Sequence, residues 1–100
     1  MSRTYYTDYV RHALRFYSRN NAPRPVFRND VDKSNWLSCE CVLNKYPDNI
    51  KEILLEIYSG HDTLADEVYL ACKKRNIEQN HIWDTMKIVE QAIAHRRGLL

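Results

Sequence analysis

Glycine, proline and long apolar runs are all scarce in this sequence. Two glycines and three prolines in 100 residues exclude collagen-like and low-complexity chains, which need many more of both. No stretch approaches the roughly 18 consecutive apolar residues of a membrane-spanning helix, and residues 1–6 lack the apolar segment of a secretory signal peptide. We therefore expect a protein that neither crosses a membrane nor is exported.

Cysteine is also scarce, and its odd number is informative. Three cysteines cannot complete a disulfide framework, which is typical of a reducing compartment, so we expect a cytoplasmic location. Thiolate and imidazole groups do bind zinc, but Cys39 and Cys41 lie two residues apart on a predicted helix, where their side chains diverge by about 200°. Because no Cys-x2-Cys pair exists to join Cys72, His61 or His81, we expect neither a metal site nor a cofactor.

Catalytic motifs are missing as well. The sequence has no glycine-rich phosphate loop, no Gly-x-Ser-x-Gly turn and no paired carboxylates on a recognisable scaffold. A cysteine nucleophile would need an exposed, electropositive surrounding and a nearby base, and no sequence pattern brings Cys72 to His81 or His12. We expect a non-catalytic protein.

Charge is small in total but unevenly distributed. The net charge is +2. Residues 1–28 contain six arginines and one aspartate, for a net +5, whereas residues 29–66 contain three lysines and eight acids, for a net −5. Residues 67–100 contain six basic and four acidic residues, for a net +2. The basic ends suit a phosphate backbone, and they equally suit packing against the acidic middle or a second copy of the chain.

Helical periodicity runs along nearly the whole sequence. Apolar residues recur every three or four positions, and no two-residue alternation is bounded by turn signals. In the first predicted helix, over residues 4–19, one face carries Tyr6, Val10, Ala13, Leu14 and Tyr17. One hundred residues support one core rather than two. The sequence therefore predicts a single all-α domain over residues 1–100, an orthogonal bundle of about five helices.

Capping residues and helix breakers predict the helix boundaries. Residues 20–25, with two prolines, end the first helix, and a connector runs to about residue 30, so that residues 31–100 form the main bundle. Asp32 and Asp48 are suited to cap the second and third helices. Similar signals predict the later boundaries. Tyr46 and Pro47 end the second helix, and Gly60 ends the third. Thr63 starts the fourth helix, Asn76 forms a left-handed turn after Arg75, and Gly98 follows a fifth helix over residues 79–97.

The fourth and fifth helices match the pattern of a helix-turn-helix. Such a motif needs a small residue where its helices cross, an apolar residue in the turn, and an apolar residue one turn into the second helix. Ala71, Ile77 and Ile82 occupy these three positions.

With these positions, residues 63–83 (TLADEVYLACKKRNIEQNHIW) resemble region 4, the C-terminal DNA-binding region of sigma-70-class sigma factors, and the small phage and mobile-element regulators built on it. Residues 48–58 (DNIKEILLEIY) look like the helix that precedes the motif in that family, and the resemblance covers roughly residues 33–97. The whole chain, including Trp83, Glu90 and residues 93–100, also resembles short uncharacterised proteins of bacterial mobile elements. The first resemblance implies a DNA-binding transcriptional regulator of a phage or mobile element.

The same resemblance implies how the residues would meet double-stranded DNA. The fifth helix would lie in the major groove, where Asn and Gln pair with adenine and Lys with guanine. Base edges would meet Gln79, Asn80, His81, Asp84 and Lys87, and phosphates would meet Thr63, Lys73, Lys74 and Arg75. The sequence departs from the family pattern in its longer turn, in the Arg75–Asn76 pair that replaces a glycine, and in the negative charges of Glu78 and Asp84. The alternative is a small helical protein–protein interaction module without DNA binding.

Two features of the first helix leave alternatives open. Its aromatic residues, Tyr5, Tyr6, Tyr9, Phe16 and Tyr17, suit either the covering of the core or a homodimer interface. Arginines at four-residue spacing form either a solvated face or a stripe that contacts phosphates: Arg11, Arg15 and Arg19.

Overall fold

Five α-helices form the regular structure of this protein in a computed structural model, which describes residues 5–20 and 25–100. Their bounds are α1 Thr7–Arg19, α2 Asp30–Leu43, α3 Asp48–Ser59, α4 Leu64–Arg75 and α5 Gln79–Arg96. These ranges contain no strand, which confirms the prediction of an all-α helical bundle. The predicted start of the first helix at Thr4 and the predicted break over residues 21–24 lie outside the described residues.

Helix α1 lies between its neighbours and packs against α2, α3 and α5. Its predicted apolar face is confirmed, since Val10, Leu14 and Tyr17 are completely buried and Tyr6 and Ala13 nearly so. Pairwise packing of α3 with α4, α2 with α5 and α4 with α5 closes the bundle. The radius of gyration of 13.1 Å is the value expected for a folded domain of about 100 residues.

The aromatic residues of the first helix divide between the core and the surface. Tyr6 and Tyr17 are buried, and the partly buried Phe16 packs against the core. These three residues therefore cover the core, which is one of the two interpretations of the aromatic residues. Tyr5 and Tyr9 are 80% and 41% exposed, and their hydroxyls donate hydrogen bonds to the Leu99 carbonyl and to Asn35. A homodimer through this helix stays a prediction.

The helix starts follow the sequence signals with two corrections. Asn29, not Asp32, caps α2, because its side chain accepts a hydrogen bond of 2.9 Å from the Asp32 amide. The Asp32 carboxylate instead accepts from Arg28. Asp48 is the first residue of α3 and follows the cap residue Pro47, where its negative charge still favours a helix start.

Helix α4 has the cap that the sequence predicts. Thr63 Oγ1 accepts from the Asp66 amide at 3.2 Å. The carboxylate that reaches back to the start of this helix is that of Glu67, which accepts from the Asp62 amide at 3.1 Å. The longer glutamate side chain spans this distance.

Left-handed residues end α4 and α5. Asn76 has φ 56° and Gly98 has φ 73°, as the sequence predicts. In both turns an amide bonds to a carbonyl five residues earlier, Ile77 to Cys72 at 3.0 Å and Leu99 to Ala94 at 2.8 Å, which satisfies carbonyls that the helix leaves free. Gly60 differs, since it leaves α3 with an extended backbone that any residue can adopt.

A buried carboxylate joins three helices at the centre of the bundle. Glu90 of α5 is 5% exposed, and its Oε2 accepts from the Tyr58 hydroxyl of α3 at 2.6 Å and from Arg11 Nε of α1 at 3.0 Å. Burial, and then the negative charge of Glu90, raise the pKa of Tyr58 well above its ordinary value, so the hydroxyl remains a donor. The carboxylate therefore has a counter-ion and a neutral donor, as a buried charge requires.

Within the described ranges, no helix is long and apolar enough to cross a membrane.

We expect the left-handed turn between α4 and α5 to tolerate glycine better than a branched side chain. Asn76→Val should lower the free energy of unfolding by about 1–2 kcal/mol, because a branched Cβ clashes at positive φ, whereas Asn76→Gly should change it by less than about 0.5 kcal/mol. Urea unfolding followed by circular dichroism measures both. Equal losses for the two variants would contradict the assigned backbone conformation.

Removing the charge of Glu90 should destabilise the bundle. Glu90→Gln keeps the side-chain shape but leaves Arg11 half-buried without its counter-ion, and we expect a loss of about 2 kcal/mol in the free energy of unfolding. Tyr58→Phe removes one hydrogen bond and should cost about 1 kcal/mol. In urea unfolding the double variant should lose less than the sum of the single losses, and strict additivity would show that the three groups do not form one network.

Candidate nucleic-acid interface

The three apolar residues assigned to the helix-turn-helix pattern are all buried or packed against the core. Ala71 and Ile82 are completely buried, and Ile77 in the turn packs against the core. Together with the left-handed Asn76, these contacts set the direction in which α5 leaves α4. The turn and its two helices thus form one packed unit.

One face of α5 is open to solvent along its first three turns. Ile82, Met86 and Val89 point into the core, which turns the polar side chains outward. The five residues predicted to meet base edges are all exposed: Gln79, Asn80, His81, Asp84 and Lys87. Their amide, imidazole, carboxylate and ammonium groups offer both hydrogen-bond donors and acceptors.

The basic triplet at the end of α4 is less available than the sequence indicates. Glu56 of α3 accepts hydrogen bonds from Lys74 at 3.0 Å and from Arg75 at 3.0 and 3.2 Å. Arg75 also bonds to the Ala71 carbonyl of its own helix. Two of the three positive charges predicted to meet phosphates are therefore paired within the protein.

The third cation of the triplet stays exposed. The Lys73 ammonium lies 5.6 Å from the ring centre of Tyr69, one turn earlier on α4, which is within reach of a cation–π interaction. Such a contact leaves the ammonium hydrated on its other side. Lys73 is the member of the triplet best placed to meet a phosphate.

The pairing with Arg75 and Lys74 lowers the pKa of Glu56. The bonds from Arg75, and then those from Lys74, hold the pKa of this carboxyl below its ordinary value of 4.5. The Glu56 side chain is 34% exposed, so solvent screens the interaction. The sequence does not indicate this cluster, because Glu56 and the triplet are 18 and 19 residues apart.

A groove of about 550 Å³ lies between α1 and the beginning of α4, beside α5. Helix α1 forms its charged wall, the first residues of α4 form an uncharged wall, and α5 contributes one indole ring. The lining residues are Asp8, Arg11, His12, Arg15, Thr63, Leu64, Ala65 and Trp83. Sequence reasoning missed the groove, although it identified Thr63 and the α1 arginines separately.

The arginine stripe of α1 is neither a plain solvated face nor a uniform phosphate-contacting surface. Arg11 pairs with Glu90. Arg19 donates to the Ser59 and Gly60 carbonyls at 3.3 and 2.9 Å, where the end of α3 exposes unbonded carbonyls. Among residues 5–20 and 25–100, the Arg15 side chain has no hydrogen-bond or ion-pair partner, and it lines the groove.

The cysteines belong to the core. Cys39 and Cys72 are buried and Cys41 is half-buried, and burial raises the pKa of Cys39 to about 12 and that of Cys72 above its ordinary value. Both buried thiols therefore stay protonated at neutral pH. In the part of the chain that the structure describes, no three His, Cys, Asp or Glu side chains group closely enough to hold a metal ion.

Comparisons with protein-family models, with curated proteins and with solved structures find no match to this chain. The resemblance to sigma-70 region 4 therefore stays a prediction, which the site must support by its own geometry.

Removing the Glu56 carboxylate should have an effect on stability that depends on pH. Because the folded pKa of Glu56 is lowered, its stabilisation is present above about pH 4.5 and disappears as the pH falls through the folded pKa. At pH 6, Glu56→Gln should lose less than about 1 kcal/mol in the free energy of unfolding, since the pair is partly exposed. At about pH 3 the difference between the variant and the wild type should be smaller than at pH 6.

Urea unfolding at the two pH values measures this difference. Glu52→Gln, on the exposed side of α3, is the matched control and should show a smaller effect at pH 6. A loss for Glu56→Gln that persisted at pH 3 would mean that packing, not charge, is responsible.

Proposed function

We propose that this protein is a non-catalytic DNA-binding protein, a transcriptional regulator of a phage or mobile element, that reads double-stranded DNA with α5. One observation carries the proposal: with Ala71, Ile77 and Ile82 packed inward, the first turns of α5 expose polar side chains, among them Gln79, Asn80 and Lys87. A recognition helix needs such a face, because its first turns enter the major groove.

The charges of this face do not attract DNA by themselves. Glu78 and Asp84 are negative and exposed, and Lys87 is the exposed cation of the same turns. The first half of α5 is therefore not electropositive by itself. Phosphate attraction must come from neighbouring elements, from Lys73 at the end of α4 and from α1, with α5 providing the hydrogen bonds that distinguish bases.

The surroundings of the cysteines support a non-catalytic role. A nucleophilic cysteine works as a thiolate, and burial keeps Cys39 and Cys72 protonated. A cytoplasmic location accords with three cysteines that form no disulfide.

The second candidate is a protein–protein interaction module without DNA binding. Large apolar side chains on α4 and α5 favour it, since Tyr69 is 47%, Leu70 52% and Ile88 58% exposed. Exposed Tyr5 and Tyr9 provide a further apolar surface at α1. Groups of such side chains are typical of interfaces when they are contiguous, whereas DNA binding requires positive potential beside the start of α5.

Binding to a labelled random-sequence duplex, followed by fluorescence anisotropy at about 50, 100 and 200 mM salt, tests the DNA-binding proposal. We expect affinity to fall steeply with salt, because phosphate binding releases counter-ions. Lys73→Ala and Lys87→Ala should each weaken binding a few-fold, and Asp84→Asn should strengthen it, since it removes a negative charge from the face that meets DNA.

Lys45→Ala and Asp48→Asn are the matched controls, because both residues are exposed at the junction of α2 and α3, away from the α4–turn–α5 unit. Neither should alter binding. If the wild type does not bind at 50 mM salt, or if the controls alter affinity as much as the test variants, α5 is not a DNA-reading helix and the interaction module is the better explanation.

A further inference from the structure

We propose that the groove between α1 and the start of α4 holds a phosphate of the DNA backbone, with Arg15 as its principal ligand. This inference rests on the proposed function and names a contact that the helix-turn-helix alone does not supply. It makes α1 part of the DNA-binding surface.

The first step of the argument is the state of Arg15. Of the three arginines on the α1 stripe, Arg11 pairs with a buried carboxylate and Arg19 with the end of α3. The Arg15 guanidinium has no such partner within the described residues, although it is half-buried in the wall of a groove. A guanidinium has five donors in a planar fork that matches two phosphate oxygens.

The second step is the rest of the lining. The wall opposite α1 consists of Thr63, Leu64 and Ala65, which carry no charge. On the α1 wall the Asp8 carboxylate also lines the groove, together with the cations Arg11 and Arg15. The Thr63 hydroxyl oxygen accepts from the Asp66 amide, so its own proton remains available for donation to a phosphate oxygen. His12 of the α1 wall adds a second donor.

The third step is the position of the groove relative to α5. Trp83 lines it, and on α5 this residue lies one turn after Gln79 and one turn before Lys87, at helical spacings of four. The groove is therefore continuous with the face proposed to read bases. When α5 lies in the major groove of DNA, the phosphate backbone runs on both sides of the helix. Arg15 lies on the side of α5 that carries Trp83.

The fourth step is the balance of charge. Lys74 and Arg75 are paired with Glu56, and Glu78 and Asp84 make the start of α5 acidic. A DNA-binding surface here needs cations from another element. Arg15 supplies an unpaired one at the edge of the α5 face.

The salt dependence of binding tests the contact. We would measure affinity for the random-sequence duplex between about 50 and 200 mM salt for the wild type, Arg15→Gln and Arg28→Gln. Arg28 is exposed and pairs with Asp32, and it does not line the groove, so its variant makes the same change of charge outside the proposed site. Arg15→Gln should weaken binding about tenfold and reduce the slope of log affinity against log salt by about one, with Arg28→Gln close to the wild type.

Trp83 gives an independent readout, because it lines the groove itself. DNA binding should change tryptophan emission in the wild type. Trp83→Phe should abolish most of this change while anisotropy still reports binding. Trp36, which is buried and donates to the Asn20 carbonyl at 3.1 Å, provides a constant background.

The outcomes separate this inference from the proposed function. If the wild type binds DNA but Arg15→Gln and Arg28→Gln behave alike, the groove contact is wrong and DNA binding by α5 stands. If the wild type does not bind DNA, both are wrong. In a separate experiment on the wild type, inorganic phosphate is titrated alone at matched ionic strength. A response of Trp83 to phosphate, without any effect of Arg15→Gln on DNA affinity, would assign the groove to a free anion and overturn the backbone contact.

Discussion

A carboxylate in the core needs a counter-ion and donors, and this requirement organises the bundle. Glu90 reaches Arg11 on α1 and Tyr58 on α3 from its own helix, α5, so three elements distant in the chain meet at one carboxylate oxygen. Apolar packing around it is non-directional, whereas these hydrogen bonds are directional and permit few relative placements of the helices. The position of the proposed DNA-reading face relative to α1 therefore follows from a polar contact inside the core.

Internal pairing also decides which charges remain for a ligand. Arg11 pairs with Glu90, Arg19 donates to a carbonyl at the end of α3, and Lys74 and Arg75 pair with Glu56. The basic ends and the acidic middle of the sequence thus pack against each other in part, which is one of the interpretations of the charge pattern. The cations that remain beside α5 are fewer than the composition indicates, which makes Lys73, Lys87 and Arg15 the informative positions.

Much of the local structure could be predicted from the sequence. Short-range signals act over one turn of helix, so the Thr63 cap, the left-handed Asn76 and the apolar face of α1 follow from the sequence. The cap of α2 was assigned to Asp32 instead of Asn29 because both side chains suit that role. The burial of Glu90 has a signal in the sequence, since this residue lies on the apolar stripe four residues after Met86. The polarity of its side chain, taken alone, argues against burial.

The all-α class, the approximate helix ends and the polar face of α5 follow from the sequence alone, because these features depend on residues three or four positions apart. The partners of Glu56, the different roles of the three α1 arginines and the groove that Trp83 shares with Arg15 depend on how the helices pack. These features join residues from 18 to 79 positions apart, and helix periodicity carries no information about which faces of different helices meet. The physical reason is that local propensity fixes the direction of each side chain on its helix, whereas packing and charge pairing fix where the helices lie.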